Sequence, residues 1–385
     1  MSIKDKTAIV GIGQTEFGKQ LLASELELAC EAILNALDDA GIAPAEVDGL
    51  ASYTQEATQE IEIARNIGFG DITYFGQVGY GGGGGPGVIG HLAMAVATGQ
   101  CRVGVAWRSR KRASGNVRRP WSKTQAGTQE NIATNYTRPF GILRPVDEIA
   151  MLTRRYMHEY GATRDHLANV ALTVRKHANK NPHAMMYEKT MTREDYFKAR
   201  WISKPLCLFD NCLETDGALA AVIVAADYAR DCRQTPVYIH AWGQGFHRQH
   251  QTMQNFFCDE PLKGPSWVTA KQLYSQSDFK AKDIDVAQIY DAFTPLIPLS
   301  LEGYGFCARG EGAFFTENGN IEIGGQLPIN TSGGGLSEAY VHGFNLITEG
   351  VRQMRGTSCN QVLNAQSCLV TAGEGVPTGA LLLRR

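Results

Sequence analysis

The side chains best suited to chemistry lie in three short segments of the C-terminal third, at residues 288–295, 328–343 and 370–375. The first contains Tyr290 and the second contains Tyr340. A tyrosine starts from a pKa of about 10, so at neutral pH its hydroxyl carries the proton that a donor would give. It acts as a base only where its neighbours lower that pKa or a relay carries the proton away. The two tyrosines are therefore candidate proton-transfer groups.

A run of five glycines occupies residues 81–85 and is followed by Pro86 and an apolar helical pattern. A helix that begins here has backbone N–H groups without intrahelical partners, and such groups stabilise a developing oxyanion. We expect the backbone N–H groups of Gly82, Gly83 and Gly84 to stabilise an enolate oxygen in this way. The alternative is that the run is only a flexible turn.

The composition argues against several classes of function. A formal net charge of −2 over 385 residues leaves no electrostatic footprint for nucleic acid. No apolar run approaches the roughly 20 residues of a membrane-spanning helix, and the N-terminus lacks a signal-peptide pattern, so we expect a cytoplasmic protein. The nine cysteines are scattered singly, without a CxxC pair, so we expect no metal site.

Two halves of the chain share a pattern. The sequence pattern of residues 41–48 is repeated at residues 278–285, each time between an apolar helix and a strand. A βαβ-type unit used twice indicates an internal duplication. We expect an N-terminal half at residues 1–107 and 206–260, an inserted loop domain at residues 108–205, and a C-terminal half at residues 261–385.

The three C-terminal segments resemble the active-site blocks of thiolases, above all those of the branch related to sterol carrier protein X and lipid-transfer proteins. The resemblance covers nearly the whole chain, since residues 11–17 match the opening strand and loop of the family. It implies an α/β thiolase fold in which duplicated βαβ halves form a five-layered αβαβα core with an inserted loop domain. It also implies a homodimer.

The chain departs from this family at its catalytic positions. Tyr290 and Tyr340 stand where thiolases of this branch carry histidines, and the nucleophilic cysteine would fall near Gly83. Glycine can neither carry an acyl group nor be activated by a base. Thiolase chemistry would require another cysteine to move into the site, the candidates being Cys101, Cys307 and Cys368.

These departures resemble the steroid side-chain-cleaving aldolases of bacterial sterol catabolism. That resemblance implies retro-aldol cleavage of a β-hydroxyacyl-CoA, giving a 17-keto steroid and a short acyl-CoA such as propionyl-CoA. It implies a small zinc-ribbon and OB-fold partner protein in a heterotetramer, with zinc only in that partner. This chain would need no cofactor, because CoA is part of the steroid acyl-CoA substrate. We take Tyr340 as the base and Tyr290 as the proton donor, with the reverse order open.

Supporting roles are open for the neighbours of the two tyrosines. Asp291 either caps the segment that follows it or relays a proton. His342 would share a face with Tyr340 along an extended strand, as a structural or a supporting residue. Asn330 is a further supporting candidate.

A basic run between the halves contains Arg110 and Arg112 and continues to Arg118 and Arg119. It is either a solvated loop or a site for the phosphates of CoA. Two other functions also stay open. A thiolase with an unrecognised cysteine would show thiolytic activity with free CoA, and a non-catalytic thiolase-like subunit would bind acyl-CoA without turnover.

Overall fold

The computed structural model describes residues 3–114, 137–250, 253 and 258–385. The strands are β1 (Thr7–Gln14), β2 (Gly49–Tyr53), β3 (Tyr74–Val78), β4 (Val103–Lys111), β5 (Trp201–Ser203), β6 (Leu206–Cys207), β7 (Asp216–Ala225), β8 (Val237–Gly245), β9 (Val286–Gln288), β10 (Ser367–Thr371) and β11 (Thr378–Arg384). The α-helices are α1 (Glu25–Ala40), α2 (Glu60–Ile67), α3 (Gly85–Ala97), α4 (Pro145–Tyr160), α5 (Arg164–Ala178), α6 (Arg193–Lys198), α7 (Ser266–Ser275), α8 (Leu296–Gly303), α9 (Gly312–Phe315) and α10 (Phe344–Arg355).

Local sequence signals explain where the first helix begins and ends. The Ser24 hydroxyl accepts from the backbone N–H of Glu27 at 3.2 Å, and the Glu27 carboxylate accepts from the N–H of Ser24 at 2.6 Å. This is a capping box, which satisfies two N–H groups that the helix leaves unpaired. Gly41 ends the helix with a φ of 73°, a left-handed conformation that glycine adopts without strain.

Nine strands form one mixed sheet in the order β3-β2-β4-β7-β1-β8-β11-β10-β9. The strand β1 joins its two parts, since it pairs with β7 over its whole length but with β8 only at Ala8 and Ile9. The N-terminal part therefore has five strands and the C-terminal part has four. The remaining strands, β5 and β6, form a small separate pair.

The helices complete the layers around these two parts. Apolar residues of α1 pack on the outer face of the N-terminal strands, and those of α7 and α8 pack on the C-terminal strands. The helices α3 and α10 lie between the two parts in a shared core. The predicted five-layered αβαβα core is confirmed by this arrangement. Among the described residues, no helix is both long and apolar enough to cross a bilayer.

One boundary drawn from the sequence differs from the strand pairing. The strand β8 lies within residues 206–260, which were assigned to the N-terminal half, yet it pairs with β11 along its length. The two strands are distant in the chain, and no local sequence pattern marks their pairing. Of the inserted region, residues 115–136 lie outside the described part of the chain, and Arg118 and Arg119 are among them.

Candidate active site

The predicted pair, Tyr290 and Tyr340, meets in the shared core, where the two hydroxyl oxygens lie 2.5 Å apart. Tyr290 follows β9, and Tyr340 follows a π-helical turn at Gly334–Glu338. The backbone N–H of Tyr290 donates to the Thr371 hydroxyl at 3.1 Å, and that of Tyr340 donates to the Thr215 hydroxyl at 3.0 Å. The hydroxyls are thus held in one hydrogen bond, along which a proton can pass.

The glycine that faces this pair is Gly82. A Cβ atom built on Gly82 would lie 1.8 Å from the Tyr290 hydroxyl oxygen, whereas one built on Gly83 would lie 2.2 Å from the carbonyl oxygen of Pro377. A side chain would therefore enter the site from Gly82. This is one residue before Gly83, near which the sequence placed the nucleophilic cysteine of thiolases. Because the tyrosine approaches so closely, only glycine fits here.

The backbone N–H groups of the glycine run are less available than predicted. Gly81–Gly83 form a 3₁₀ turn that leads into α3. The N–H of Gly83 donates to the Tyr80 carbonyl at 3.0 Å, and the N–H of Gly84 donates to the Gly81 carbonyl at 2.9 Å. The prediction that Gly83 and Gly84 offer free amides to an enolate is therefore wrong, because the turn uses them. The Gly82 amide has no such bond within the described residues.

The imidazole of His342 lies beside the pair, with its ring centroid 5.5 Å from that of Tyr340. Its Nδ1 atom lies 2.9 Å from Nη2 of Arg108, and Arg108 forms an ion pair with Glu56 at 3.0 Å. The Arg108 and Glu56 side chains are fully buried. Burial, followed by the charge of Arg108, lowers the pKa of His342 well below its usual range. The imidazole is therefore neutral at neutral pH.

The backbone at His342 is a turn and not the extended strand that the sequence suggested. Its φ is 52°, and that of the next residue, Gly343, is 79°. A non-glycine residue is uncommon in this left-handed region, and such strain gathers at functional sites. His342 reaches the neighbourhood of Tyr340 through this turn, before α10 begins.

Arginines alternate along β4 and its continuation, so Arg108, Arg110 and Arg112 share one face. The guanidinium carbon of Arg112 lies 5.1 Å from the centroid of the Tyr340 ring. The Nε atom of Arg110 is buried without a hydrogen bond in the described part of the chain, and burial lowers the pKa of Arg110 to about 10. The two arginines predicted to bind CoA thus face the tyrosine pair, and contact with CoA phosphates stays a prediction.

Burial raises the pKa of both tyrosines. For Tyr340 the pKa rises to about 12, and the cation of Arg112 and the hydrogen bond from Tyr290 oppose that rise. The pKa of Tyr290 is raised well above its usual value, first by burial and then by its interaction with Tyr340. Neither tyrosine is ionised at neutral pH, so the surroundings do not supply the lowered pKa that a preformed base would need. A proton relay is the alternative that the geometry supports.

Asp291 caps a different segment from the one expected. Its carboxylate accepts from the N–H groups of Gly335 at 2.7 Å and Leu336 at 3.3 Å, so it holds the turn that precedes Tyr340. Burial raises the pKa of Asp291 to about 6, against which these hydrogen bonds act. The carboxylate therefore connects the segment of Tyr290 to that of Tyr340 and makes no hydrogen bond to either phenol.

Asn330 also acts on the backbone beside the first tyrosine. Its side-chain oxygen accepts from the N–H of Ile289 at 2.7 Å, and its NH₂ group donates to the carbonyl of Ile289 at 2.8 Å. Both polar groups of the amide are used in this way, next to Tyr290. Asn330 therefore positions the strand end beside Tyr290, and a further supporting role in the reaction stays a prediction.

One neighbour of the pair was missed in the sequence. Cys212 lies close enough to act on the pKa of both Tyr290 and Tyr340, and its N–H donates to the carbonyl of Ala292 at 2.9 Å. Burial raises the pKa of the Cys212 thiol to about 11, although Arg112 opposes the rise. The thiol is therefore protonated at neutral pH and a poor nucleophile.

The cysteines considered from the sequence lie elsewhere. A Cβ atom built on Gly49 would meet the thiol of Cys101, and one built on Gly350 would meet that of Cys368. Cys307 packs at the edge of the core beneath the C-terminal strands. Burial raises the pKa of all three thiols, so none of them resembles an activated nucleophile.

Comparison with known proteins agrees with this architecture. The family model of the thiolase N-terminal domain matches residues 7–198, and that of the thiolase C-terminal domain-like family matches residues 247–381. The chain belongs to the thiolase superfamily.

Within that superfamily the chain is similar to proteins named as aldolases and lyases. It is 47% identical to the steroid side-chain-cleaving aldolase of Thermomonospora curvata over 382 residues, which cover 98% of this chain and 97% of the relative. It is 45% identical to the 17-hydroxy-3-oxo-4-pregnene-20-carboxyl-CoA lyase of Mycobacterium tuberculosis over 387 residues, 99% of this chain and 100% of the relative.

A solved structure leads to the same group. The Ltp2-ChsH2(DUF35) aldolase superposes with a TM-score of 0.95 at 45% sequence identity, covering 100% of this chain and 99% of that chain. The resemblance inferred from the tyrosines and glycines is confirmed by these three proteins.

Proposed function

We propose that this chain is an aldolase that cleaves the side chain of a steroid acyl-CoA by a retro-aldol reaction. The observation that carries the proposal is the contact of the Tyr290 hydroxyl with the bare Gly82 backbone, beside the Tyr340 hydroxyl. A proton-transfer pair fills the place where a side chain at Gly82 would project. Near full-length identity to two proteins named as an aldolase and a lyase supports the same reaction.

The reaction needs a base and an acid but no covalent intermediate. The base removes the proton of the β-hydroxyl group, and the freed electron pair forms the C=O bond of a 17-keto steroid. The bond between Cα and Cβ breaks, and its electrons pass into the enolate of the thioester. Protonation of the enolate carbon then releases a short acyl-CoA such as propionyl-CoA. This chain contributes no cofactor in this scheme, since CoA is part of the substrate.

The electrostatics favour Tyr340 as the base. Arg112 lies over its ring, and Tyr290 stabilises its ionised form through the shared hydrogen bond, so Tyr340 has the lower pKa of the pair. Tyr290 keeps its proton more strongly and serves as the donor to the enolate carbon. The two hydroxyls form the relay, since a proton taken up by Tyr340 can replace the one that Tyr290 gives away.

We propose that two copies of this chain pair and that each binds a small zinc-ribbon and OB-fold protein, giving a heterotetramer with zinc only in the partner. The strand β3 is at the edge of the sheet, and Phe75 on it is 71% exposed. An unpaired edge strand with an exposed apolar side chain favours association with a second chain. The solved relative is named after two components, which supports a partner protein.

The test is turnover of a 17-hydroxy steroid acyl-CoA by the chain together with its partner. We expect stoichiometric 17-keto steroid and propionyl-CoA, without free CoA as a second substrate. Thiolysis that depends on added CoA, with an acyl adduct on a cysteine, would identify a thiolase instead. Tight binding of the acyl-CoA without turnover, with the partner present, would identify a non-catalytic subunit.

A further inference from the structure

The hydrogen bond between Arg108 and His342 determines which imidazole nitrogen carries the proton. A guanidinium group only donates hydrogen bonds, so Nδ1 of His342, 2.9 Å from Nη2 of Arg108, is the acceptor. The proton of the neutral ring must then be on Nε2. Arg108 is itself held by the buried ion pair with Glu56. The ion pair between Glu56 and Arg108 and the hydrogen bond between Arg108 and His342 thus fix the ring. Its N–H group is at Nε2, on the side away from Arg108.

That N–H group has no hydrogen-bond acceptor in the part of the chain that the structure describes. No side-chain or backbone acceptor contacts Nε2 of His342 among these residues, and the residue keeps 7% of its surface exposed. A Cβ atom built on Gly81 would lie 3.3 Å from Cε1 of the ring, so the imidazole borders the glycine turn. The Tyr340 ring is its neighbour on another side, with a centroid distance of 5.5 Å.

The proposed reaction, on which this inference rests, places negative charge on the thioester oxygen of the enolate. The turn consumes the amides of Gly83 and Gly84, so the glycine run supplies fewer donors than the sequence suggested. An oxyanion without fixed donors is costly, and each well-placed donor typically contributes about 10²–10³-fold in rate. The Gly82 amide is left as a donor, and a second donor beside the turn would strengthen the stabilisation of the enolate.

We infer that Nε2–H of His342 donates a hydrogen bond to the thioester oxygen of the substrate and stabilises the enolate that forms when the Cα–Cβ bond breaks. No proton leaves the imidazole in this step, so the acid–base roles of the tyrosines are unchanged. His342 is in this sense a further catalytic residue, while Arg108 and Glu56 are positioning residues that fix its tautomer.

The charges around the His342 ring favour its neutral form, in which Nε2–H is the donor. Arg108, Arg110 and Arg112 of β4 and its continuation all act against a second proton on His342, in addition to burial. The ring of Tyr53 on β2 lies 6.3 Å away, and Tyr340 precedes the turn. The Glu56 carboxylate is paired with Arg108. The imidazole is therefore expected to keep one charge state across the neutral pH range.

Two substitutions separate the donor role from a packing role. His342→Asn places an oxygen near the position of Nδ1, keeps an acceptor for Arg108 and tolerates the left-handed φ of 52°, but it lacks Nε2–H. His342→Gln places an amide N–H near the position of Nε2. We expect kcat of the Asn variant to fall about 10²–10³-fold at nearly constant KM and Tm, and the Gln variant to retain at least ten times more activity than the Asn variant.

An Asn variant within threefold of the unchanged enzyme overturns the inference, as does a Gln variant no more active than the Asn variant. The ¹⁵N spectrum of histidine-labelled enzyme supplies a second measurement, with the His342 signals assigned by their absence in the Asn variant. We expect protonated Nε2 and no titration between pH 5.5 and 8, and an additional Nδ1–H population after Arg108→Met. A protonated Nδ1 in the unchanged enzyme contradicts the assignment.

The outcome is distinguishable from failure of the proposed function. If the unchanged enzyme cleaves the steroid acyl-CoA and Tyr340→Phe abolishes turnover while His342→Asn does not, only the role of His342 is wrong. If the unchanged enzyme with its partner shows no cleavage, the proposed function itself is wrong. The ¹⁵N measurement reports on the tautomer in either case.

Discussion

The hydroxyl oxygen of Tyr290 lies 1.8 Å from the place where a Cβ atom of Gly82 would stand. The two residues come from different halves of the chain, and each depends on the other. A side chain at Gly82 would expel the phenol, and without the phenol the site would contain a cavity. The phenol and a side chain at Gly82 cannot both be present. This explains how a fold that holds a nucleophile in other members of the thiolase superfamily can hold a proton-transfer pair.

Gly82→Ala should therefore abolish cleavage while leaving the fold largely intact. The added methyl group occupies the position of the phenol oxygen, so Tyr290 must move away from Tyr340 and their hydrogen bond breaks. We expect kcat to fall at least about 10²-fold, the loss typical of a removed acid–base group. Steady-state assays and the thermal unfolding midpoint of the variant provide the measurement.

Gly79→Ala is the matched control. A Cβ atom on Gly79 would have its nearest neighbour, the Thr54 hydroxyl oxygen, at 4.0 Å, and the backbone there is not left-handed. We expect that variant to keep activity within about threefold. Equal activity of the two alanine variants would contradict the contact between Gly82 and Tyr290.

Replacing either tyrosine by phenylalanine removes one hydroxyl and keeps the volume of the ring. We expect Tyr290→Phe and Tyr340→Phe each to lower kcat by about 10²–10⁴-fold with little change in substrate affinity. The double variant should be little worse than the weaker single variant, because the hydroxyls act through one hydrogen bond. Tyr274→Phe is the control, since its hydroxyl donates to the Tyr304 carbonyl at 3.0 Å outside the site. Near-normal kcat in both active-site variants would show that the acid and base lie elsewhere.

Much of this site could be predicted from the sequence. Tyr290, Tyr340 and the glycine run lie in segments whose order and spacing are typical of the thiolase superfamily, so their meeting follows once the fold is known. The five-layered core follows for the same reason. Ser24 and Glu27 specified the first helix by short-range signals alone.

Other parts of the site depend on contacts that the sequence does not specify. Five identical glycines cannot indicate which amides the turn uses, so Gly83 and Gly84 were named as donors together with Gly82. Cys212 precedes β7 and Arg112 follows β4, and the antiparallel pairing of those strands brings both to the tyrosines. No local motif marks such a juxtaposition. His342 was placed with Tyr340 along an extended strand, because a spacing of two residues does not reveal a left-handed turn.

Cys212 sits where a nucleophile would be suspected, and its removal tests whether the chemistry is covalent. Cys212→Ala should keep kcat within about threefold, because its thiol has a raised pKa and no role in proton transfer. Mass spectrometry of the enzyme during turnover should show no acyl adduct. Loss of activity in the Ala variant, together with an adduct on Cys212 in the unchanged enzyme, would restore the thiolase interpretation.

The last prediction concerns Glu374, which follows Gly373 in the third C-terminal segment. Its Oε1 atom accepts from the Ser266 hydroxyl at 2.8 Å, and its Oε2 atom is buried without a partner among the described residues. Burial raises the pKa of Glu374 to about 8, whereas an unfolded glutamate titrates at about 4.3. Between these values the folded protein holds a proton that the unfolded chain has released.

The free energy of unfolding must therefore fall as pH rises through this window, since the folded state binds more protons than the unfolded state. The stabilisation is complete below the unfolded pKa and is lost as pH rises through about 8. One such proton corresponds to a slope of about 1.4 kcal/mol per pH unit. Burial likewise raises the pKa of Glu338 to about 7, so part of the slope belongs to that carboxyl.

Glu374→Gln replaces the protonated carboxyl by a neutral group of the same shape and so removes its share of the slope. We expect unfolding midpoints close to those of the unchanged protein at pH 4, where the carboxyl is protonated in both states, and a higher midpoint than the unchanged protein at pH 9. Glu31→Gln, at an exposed position on α1, is the control and should leave the pH profile unchanged. Calorimetric scans from pH 4 to 9 provide the measurement. If the unfolding midpoint of the Gln variant declines above pH 7 as much as that of the unchanged protein, Glu374 is ionised in the folded protein. Its carboxylate would then be stabilised by water or by a further chain.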